Sequence, residues 1–238
     1  MKVFLFCSGK GERLHPLTDK VPKCLLPING KPMLERWIRK FNEWKFHDIL
    51  INVSHKSNVV MDFLKDLDWN GARLSICKEK EAALGTAKTL FKNRKFARGE
   101  YYFGIVYSDV WTTFDIRKMI TFHKRRPTMV TLGLHIPKDY AGKGVAVVRD
   151  GKVIGFEEKP KSPKSKYVWA GIMIAHPSIL TVLKEDMNDI ASDLLPELVK
   201  TGQVSAFIID EYLRDIGESV EVYHQIQSEV KAMGLQAL

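Results

Sequence analysis

The feature that most constrains the fold of this chain is the alternation of short apolar runs with helical repeats through its first half. Residues 3–7 form an apolar run that ends at a glycine pair, and residues 48–53 form a second run rich in Ile and Val. Between them, apolar residues recur at helical spacing over 34–44. Short apolar runs of this length are typical of strands buried on both faces. Strands that alternate with helices predict a mostly parallel sheet covered by helices.

The same order continues to about residue 110. A helical repeat occupies 59–67, a strand is predicted over 72–77, a helix begins at Thr86, and a further apolar strand covers 101–107. An open parallel sheet binds its ligand beyond the carboxyl ends of its strands. Functional side chains are therefore expected in the loops that follow residues 7 and 107.

The second half has a different pattern and predicts a mixed sheet. Asp150-Gly151 is a strong hairpin-turn signal between two alternating segments. Strands are predicted over 129–135, 144–148, 153–157, 168–175 and 204–209, and helices over 194–200 and 218–231. The expected fold class is α/β: a Rossmann-like, mostly parallel sheet flanked by helices, with a mixed part in the second half.

Composition excludes several classes of protein. The chain has 238 residues, of which 45% are apolar and 27% charged, so disordered, collagen-like and coiled-coil chains are excluded. The apolar opening is too short for a membrane span or a signal peptide, which predicts a cytoplasmic protein without a membrane partner. Its three cysteines form neither a metal-binding pair nor a redox pair by spacing, and they are interpreted as reduced structural thiols.

The formal net charge of +9 indicates an anionic partner, and its distribution narrows the choice. Residues 1–180 carry the positive excess, whereas residues 181–238 carry 4 basic and 11 acidic side chains. Two short basic runs, at 92–95 and 124–126, are interpreted as solvated surface. Because no basic tail with interleaved aromatic residues is present, a small anion such as a nucleotide is favoured over nucleic acid.

The loop after the first strand contains a candidate phosphate site. Gly9 and Gly11 would allow backbone N–H groups to approach a phosphate, and Arg13 could neutralise it. The dinucleotide-binding motif would need a third glycine where Leu14 stands, and the Gly-Lys-Ser/Thr of a P-loop is absent. A plain tight turn would also account for the two glycines, so this motif alone leaves the function open.

The segments that follow resolve this choice by their resemblance to a family. The loop continues as Leu14-His15-Pro16-Leu17-Thr18 and Pro22-Lys23-Cys24-Leu25-Leu26-Pro27, then Gly30-Lys31-Pro32. With Gly9, Gly11 and Arg13, this pattern resembles the opening of the sugar-1-phosphate nucleotidyltransferases. Further matches in the family's order are Leu84-Gly85-Thr86-Ala87, Ser108-Asp109, Gly155-Phe156-Glu157-Glu158-Lys159-Pro160, Ala170-Gly171-Ile172, Leu194-Leu195-Pro196-Glu197-Leu198 and Asp215-Ile216-Gly217.

The resemblance implies a reaction and a metal. In this family an oxygen of a sugar 1-phosphate attacks the α-phosphorus of a nucleoside triphosphate, and pyrophosphate leaves. The implied cofactor is Mg²⁺, held by Asp109 and Asp215, because magnesium needs few protein oxygens and completes its shell with water and phosphate. Such transfers depend mainly on positioning and charge stabilisation. In isolation, either aspartate would more often be a loop or helix-capping residue, and the match of both to the family favours the metal-binding role.

The resemblance also assigns roles to basic and sugar-contacting residues. Arg13 would hold the triphosphate, Lys23 would bridge the phosphates of both substrates, and Lys159 would hold the sugar phosphate. Arg13, Lys23, Asp109 and Asp215 are the implied catalytic set. Further implied nucleotide-binding residues are Cys7, Ser8, Gly9, Gly11, Lys80, Glu81, Gly85 and Thr86. The implied sugar-phosphate residues are Gly144, Glu158, Lys159 and Gly171.

Departures from the family pattern affect specificity more than chemistry. Glu12 replaces the usual Ser or Thr before the arginine, Ser108 replaces a glycine, and Trp169 stands where a small or polar residue is common. Lys80 falls where many relatives carry a base-reading glutamine, with Glu81 beside it. A glutamate can accept from the N1 and N2 donors of guanine and a lysine can donate to its O6, so guanine is slightly favoured.

The resemblance covers residues 1–238 as one catalytic domain, with a nucleotide half (1–110) and a sugar-phosphate half (111–238). It leaves no extension for the β-helix that follows this domain in some relatives. Alternatives are an inactive regulatory homologue, a transferase for a non-sugar phosphate such as phosphocholine, and a nucleic-acid binder. All four catalytic candidates are present, which favours an active enzyme. Whether the chain is a monomer or a homodimer is left open.

Overall fold

The structure is a computed structural model and describes residues 1–69, 71–79 and 84–235. The strands are, in chain order, β1 (Lys2–Phe6), β2 (Pro27–Ile28), β3 (Lys31–Pro32), β4 (Asp48–Val53), β5 (Arg73–Lys78), β6 (Phe103–Tyr107), β7 (Val110–Thr112), β8 (Val130–His135), β9 (Gly144–Arg149), β10 (Lys152–Glu158), β11 (Tyr167–Ala175), β12 (Val204–Ile208) and β13 (Leu213–Asp215). The helices are α1 (Met33–Glu43), α2 (Ser57–Lys65), α3 (Thr86–Lys92), α4 (Ile116–His123), α5 (Ile179–Val182), α6 (Leu195–Lys200) and α7 (Val220–Ala232).

A single nine-stranded sheet connects the two halves, in the order β5-β4-β1-β6-β11-β8-β12-β10-β9. Strands β5, β4, β1 and β6 are parallel, and β8 is parallel to β12. Strand β11 is antiparallel to β6 and to β8, and β10 is antiparallel to β12 and to β9. Among these nine strands seven therefore run in one direction. The prediction of a mostly parallel sheet with a mixed second half is confirmed.

The central strand and the first helix form because their residues can be buried completely. Residues 3–6 of β1 are buried, as expected for a strand covered on both faces. Helix α1 buries Trp37 and Phe41 one turn apart, with their rings stacked at 5.3 Å between centroids. Burial of each such aromatic side chain stabilises the fold by about 2–3 kcal/mol. The predicted helix over 34–44 is thus confirmed.

The far end of the sheet curls back on itself. Strand β9 pairs with β10 through a two-residue turn at Asp150-Gly151, as predicted, and also pairs with the start of β11. Strand β11 contains a register shift between Trp169 and Met173, and within it Gly171 adopts a φ of +67°. A side chain disfavours this left-handed conformation. The bulge separates the part of β11 that pairs with β9 from the part that pairs with β6.

A short two-stranded ladder crosses the carboxyl edge of the main sheet. Strands β7 and β13 are antiparallel, with Asp215 opposite Val110. The Ile216 amide also donates to the Asp109 carbonyl at 2.9 Å. Asp215 is the last residue of β13. The ladder brings together two carboxylates that are 106 positions apart in the sequence.

Helices α4 and α7 follow the two strands of the β7–β13 ladder in the chain. Helix α4 was not predicted; it begins after Asp115, whose side chain accepts a hydrogen bond from the Arg117 amide. The predicted closing helix is confirmed as α7, which begins after Ser219. In the part of the chain that the structure describes, every helix is too short or too polar to cross a bilayer.

Candidate active site

Two cavities of about 260 Å³ each lie at the carboxyl ends of the central strands. We call them the N-terminal cavity and the C-terminal cavity. The N-terminal cavity is lined by Phe6, Cys7, Ser8, Gly9, Lys23, Cys24, Gly85, Thr86, Tyr107, Ser108, Asp109 and Asp189. The lining of the C-terminal cavity includes Tyr107, Asp109, His135, Gly144, Glu158, Lys159, Trp169, Gly171, Asp189 and Asp215. Tyr107, Asp109 and Asp189 border both, so the cavities meet at these residues.

A buried polar network holds the loop that borders the N-terminal cavity. Asn52, on β4, accepts from the Cys7 amide at 2.8 Å and donates to the Ser8 hydroxyl at 2.7 Å. Its amide nitrogen also donates to Glu79 Oε1 at 2.9 Å. Ser54 Oγ donates to the Ser8 carbonyl at 3.0 Å. Buried polar groups need such partners, and here they fix the backbone after β1. Asn52 was missed, although a polar residue inside an Ile/Val-rich strand is itself a signal.

Lys23 lines the N-terminal cavity next to Asp109, one of the residues at which the two cavities meet. It opens a short 3₁₀ turn (Lys23–Leu25) after Pro22, and its Nζ lies 2.5 Å from Asp109 Oδ2. Burial disfavours its charge, yet the carboxylates of Asp109 and Asp215 outweigh burial and raise the pKa of Lys23. Its side chain is 12% exposed. Lys23 is therefore a largely buried cation kept charged by two carboxylates, and it lines the N-terminal cavity in contact with Asp109, which borders both cavities.

Asp215 faces Asp109 across the β7–β13 ladder. Burial, followed by the negative charge of Asp109, raises the pKa of Asp215, whereas Lys23 lowers it. The Gly217 amide donates to Asp215 Oδ1 at 2.7 Å. A Cβ atom on Gly217 would overlap Lys23 Nζ, so glycine is needed there for the lysine to reach the carboxylates. The two aspartates thus surround a position that already holds a positive charge.

This donor set fits magnesium. Two carboxylates hold a cation between them, and Mg²⁺ ordinarily takes one or two protein carboxylates and completes its shell with water and phosphate. Among the described residues, no group of three or more His, Cys, Asp or Glu side chains could hold a metal alone. A metal that binds together with a triphosphate would need only these two carboxylates from the protein, so it is compatible with the lack of a third protein ligand among the described residues.

The curl of the sheet builds the C-terminal cavity. Gly144, at the start of β9, lies opposite Glu158, at the end of β10. A Cβ atom on Gly144 would lie 2.8 Å from Glu158 Oε2 and 2.6 Å from the Phe156 ring, so only glycine allows this close approach. Burial raises the pKa of Glu158, and the adjacent Lys159 partly offsets that shift. The four predicted sugar-phosphate residues, Gly144, Glu158, Lys159 and Gly171, therefore line one cavity.

Lys159 has an unusual backbone for its residue type. Its φ is +49°, its amide donates to the Lys143 carbonyl at 3.1 Å, and its side chain is 65% exposed. A non-glycine residue in the left-handed region costs about 1 kcal/mol or more. Such strain is often found at functional sites. The backbone directs the lysine to the mouth of the C-terminal cavity, 3.6 Å from Glu158.

Aromatic side chains form one wall of the C-terminal cavity. Trp169 contacts Tyr107 edge to face, with 5.2 Å between ring centroids, and also contacts Phe156 at 6.3 Å. The Trp169 indole nitrogen donates to the Ile172 carbonyl at 3.1 Å, across the bulge at Gly171. Trp169, noted from the sequence as a departure, thus lies in the wall of the cavity where the predicted sugar-phosphate residues meet.

Two residues at the junction of the cavities were missed. Burial, followed by the charge of Asp189, raises the pKa of Tyr107 far above its usual range. Asp189 accepts from Thr86 Oγ1 at 2.8 Å and from the Ala191 amide at 2.8 Å, and so caps a π-helical turn (Ile190–Leu194). The sequence signal for Tyr107 was its place at the end of a buried strand, one residue before Ser108-Asp109. Asp189 gave no motif signal.

His135 and Lys143 were also missed. Burial, followed by the charge of Lys143, lowers the pKa of His135 to about 4, so the ring is neutral near pH 7. Lys143 is 11% exposed and forms an ion pair with Glu218. The same lysine lines a neighbouring cavity of about 600 Å³ between the residues after β8 and helix α7. His135 and Lys143 follow no family motif, which explains the omission.

The remaining predicted site residues either lie at the edge of the site or fall outside the described part of the chain. Gly11 precedes a short 3₁₀ turn (Glu12–Leu14) that contains Arg13. Arg13 is exposed, and its Nη1 lies 3.6 Å from the position of a Cβ atom on Gly142. Neither Gly11 nor Arg13 is among the residues that line the N-terminal cavity. Lys80 and Glu81 lie outside the described residues.

Comparison with known sequences identifies the family. The model of the nucleotidyl transferase family matches residues 2–232. Mannose-1-phosphate guanylyltransferase 1 of Arabidopsis thaliana is 27% identical over 92% of this chain and 62% of its own length. The catalytic subunit beta of the Xenopus tropicalis mannose-1-phosphate guanylyltransferase is 29% identical over 92% and 61%. A UTP–glucose-1-phosphate uridylyltransferase of Synechocystis is 26% identical over 95% and 63%. The chain thus spans less than two thirds of the length of these relatives.

Solved structures show the same fold. A Bacillus anthracis protein named as a glucose-1-phosphate thymidylyltransferase, solved with sucrose, superposes with a TM-score of 0.85 at 24% identity, covering 97% of this chain and 95% of the other. HddC from Yersinia pseudotuberculosis, solved with GMP-PN, gives 0.77 at 22% identity, covering 96% and 98%. The family recognised from the motifs is confirmed, and the chain belongs to the nucleotidyl transferase family.

Proposed function

We propose that this protein transfers a nucleotidyl group from a nucleoside triphosphate to a sugar 1-phosphate and releases pyrophosphate. The observation that carries the proposal is that two cavities meet at Asp109, with the buried ammonium of Lys23 against it. A reaction between two phosphorylated substrates needs this arrangement: one cavity for each, a shared cation, and carboxylates for a metal at the point of contact.

The nucleoside triphosphate would occupy the N-terminal cavity. The backbone of Ser8 and Gly9, held by Asn52, gives phosphates a rigid surface at the end of β1. Lys23 lies at the inner end of that cavity, next to the α-phosphate in this arrangement. Arg13 is exposed and close enough to Lys23 for its charge to act on that ammonium, and its guanidinium would hold the outer phosphates.

The sugar 1-phosphate would occupy the C-terminal cavity. Glu158 accepts hydrogen bonds from sugar hydroxyls, and the missing side chain of Gly144 leaves room for the ring. Lys159 neutralises the phosphate at the cavity mouth. Trp169 and Tyr107 give the opposite wall an apolar surface for the carbon face of the sugar.

In the reaction, an oxygen of the sugar phosphate forms a new bond to the α-phosphorus, and the bond from that phosphorus to the bridging oxygen of pyrophosphate breaks. The electron pair of the broken bond leaves with pyrophosphate. Lys23 stabilises charge on the α-phosphate oxygens, and Arg13 stabilises the leaving group. Asp109 and Asp215 would hold Mg²⁺, which when bound would neutralise charge on the phosphates.

Guanine is the base that we propose. Two of the three named relatives are mannose-1-phosphate guanylyltransferases, and HddC was solved with GMP-PN. The residue types of Lys80 and Glu81 complement the O6, N1 and N2 groups of guanine. The uridylyltransferase among the relatives makes UTP the competing choice.

The experiment is a pyrophosphate-release screen that crosses GTP, UTP, dTTP, CTP and ATP with hexose, heptose and aminosugar 1-phosphates, with phosphocholine included. We expect Mg²⁺-dependent release that needs both substrates and is fastest with GTP. The Asp109→Asn protein, purified in parallel, controls for contaminating activity. Nucleotide binding without release for any acceptor would instead support an inactive regulatory homologue. Release with phosphocholine alone would overturn the sugar assignment.

A further inference from the structure

Strand β7, which follows Asp109, accepts hydrogen bonds along both of its edges. Carbonyl groups of successive residues in a strand point to opposite edges. The Asp109 carbonyl accepts from the Ile216 amide at 2.9 Å, on the side of β13. The carbonyls of Val110 and Thr112 therefore point the other way, toward helix α1. Unpaired buried carbonyls are costly, so this second edge needs donors.

Helix α1 supplies those donors from two adjacent side chains. Trp37 Nε1 donates to the Val110 carbonyl at 3.0 Å, and Arg36 Nη2 donates to the Thr112 carbonyl. Trp37 is 1% exposed and Arg36 is 7% exposed. The Arg36 guanidinium also lies 4.3 Å from the centre of the Trp111 ring, over β7 itself. Two directional bonds and one ring contact thus attach β7 to the helix.

The burial of the charged Arg36 side chain at this position lowers the stability of the fold. Burial lowers its pKa to about 10, and in the described part of the chain it forms no ion pair and its Nη1 has no hydrogen-bond partner. A well-packed apolar side chain is often at least as stabilising as a buried charge. The side-chain hydrogen bond and the ring contact described above for Arg36 both go to β7. Its place in the core is explained by what it does to that strand.

We propose that Trp37 and Arg36 are positioning residues that fix the separation and orientation of Asp109 and Asp215. Asp109 immediately precedes β7, and Asp215 is paired with Val110 in the β7–β13 ladder. A displacement of β7 along its edge would therefore move both carboxylates relative to Lys23. Misplacement of reacting groups by about 1 Å can cost as much as a hundredfold in rate.

The test compares Trp37→Phe with Trp44→Phe, the same substitution at the end of the same helix. Trp44 contacts the Phe41 and Phe46 rings, and its indole makes no hydrogen bond to β7 in the described residues. The catalytic part of the test rests on the proposed function. We expect Trp37→Phe to lower kcat and to weaken apparent Mg²⁺ affinity, each by about tenfold, with the KM of each substrate within about twofold. Trp44→Phe should leave all four values close to wild type.

A second readout does not depend on activity. Amide hydrogen exchange followed by mass spectrometry should be faster in peptides covering 108–114 and 211–217 for Trp37→Phe than for Trp44→Phe, measured without substrate or metal. Arg36→Met, which keeps the apolar stem and removes the donor, should show the same faster exchange and the same fall in kcat. If Trp37→Phe fails to fold, Arg36→Met provides both readouts.

The outcomes separate the two proposals. If wild type releases no pyrophosphate, the proposed function fails, while the exchange comparison still decides whether α1 holds the ladder. If wild type is active, and Trp37→Phe and Arg36→Met match Trp44→Phe in both kcat and exchange, the positioning role is wrong. Equal loss of kcat in all three variants would also overturn it, because the effect would then be general to the helix.

Discussion

The two cavities differ in how they are built, and the difference indicates which part of the reaction each determines. The N-terminal cavity is formed by segments at the ends of parallel strands, and most of its lining comes from three family motifs that contain Gly9, Gly85 and Asp109. The C-terminal cavity depends on the curl that brings Gly144, Glu158 and Trp169 together from three strands. In the proposed function the first cavity would accept the group that all nucleoside triphosphates share, the triphosphate. The second contains the departure at Trp169, so acceptor choice is expected to lie there.

The cavities also differ in their charged groups. Asp109 and Asp189 are the charged residues that border both cavities, and Lys23 lines the N-terminal cavity in contact with Asp109, whereas His135, Glu158 and Lys159 line the C-terminal cavity and not the N-terminal one. Substitutions at the junction should therefore affect turnover with either substrate. Substitutions inside one cavity should change the KM of one substrate only.

The largest effect among these comparisons is expected for Lys23→Met. The substitution keeps the apolar stem but removes the cation between the cavities, so kcat should fall by about a hundredfold or more. Lys20→Met, at an exposed position in the same loop, is the control and should retain wild-type kcat. Steady-state pyrophosphate release measures both. Equal activity of the two variants would contradict a role for Lys23 in charge stabilisation.

A methyl group added inside the N-terminal cavity should affect only the nucleotide. A Cβ atom on Gly9 would meet nothing closer than Lys23 Cδ at 3.9 Å, so Gly9→Ala should fold normally. It occupies space next to the triphosphate, and the nucleotide KM should rise by about tenfold. Gly155→Ala, whose Cβ would meet Val147 at 3.5 Å outside both cavities, is the matched control. A rise in the acceptor KM would show that the cavities are wrongly assigned.

The reciprocal change is Glu158→Gln in the C-terminal cavity. Loss of the carboxylate weakens hydrogen bonds from sugar hydroxyls, so the acceptor KM should rise by about fivefold to tenfold while the nucleotide KM stays constant. Glu157→Gln is the control, because Glu157 precedes it on the same strand and pairs instead with Lys164 at 2.8 Å. An unchanged acceptor KM in Glu158→Gln would remove the sugar-contacting role.

The smallest expected effect concerns stability and pH. The folded-state pKa of His135 is about 4, below the unfolded value of about 6.5. The unfolded chain therefore binds the proton first, and stability is lost as pH falls from about 6.5 to about 4, by roughly 2–3 kcal/mol for this residue. Urea unfolding of His135→Gln should show a weaker pH dependence than wild type. The exposed His224→Gln should keep the wild-type dependence; identical slopes for all three proteins would contradict the assignment.

Local sequence pattern predicted most of the sheet but few of its long-range contacts. The apolar runs 3–7 and 48–53 correctly predicted β1 and β4. Their signals are local in the sequence: short apolar runs, with a glycine soon after the first and Ile and Val in the second. Helix α4 was missed, since its apolar residues are few and its start depends on the Asp115 cap. The β2–β3 hairpin was also missed, although Asn29-Gly30, with φ of +51° and +80°, is a strong turn signal.

The candidate site was predictable where a motif carried it and not where the tertiary fold created it. Lys23 and Asp109 could be named because each lies in a continuous family pattern. Asp189 and His135 could not, because they enter the site through the packing of α3 against the π-helical turn and through the curl at β9. Trp37 resembled an ordinary core residue by its helical spacing; its hydrogen bond to Val110 is visible only in three dimensions.

The measurement that tests the central claim most directly is the initial rate of pyrophosphate release by wild type, Asp109→Asn and Asp62→Asn with both substrates and Mg²⁺. Asp109 lies where the cavities meet, whereas Asp62 is exposed on helix α2 and pairs with Lys65. The account predicts a fall in kcat of about a thousandfold for Asp109→Asn and wild-type turnover for Asp62→Asn. Wild-type turnover by a folded Asp109→Asn protein would contradict it.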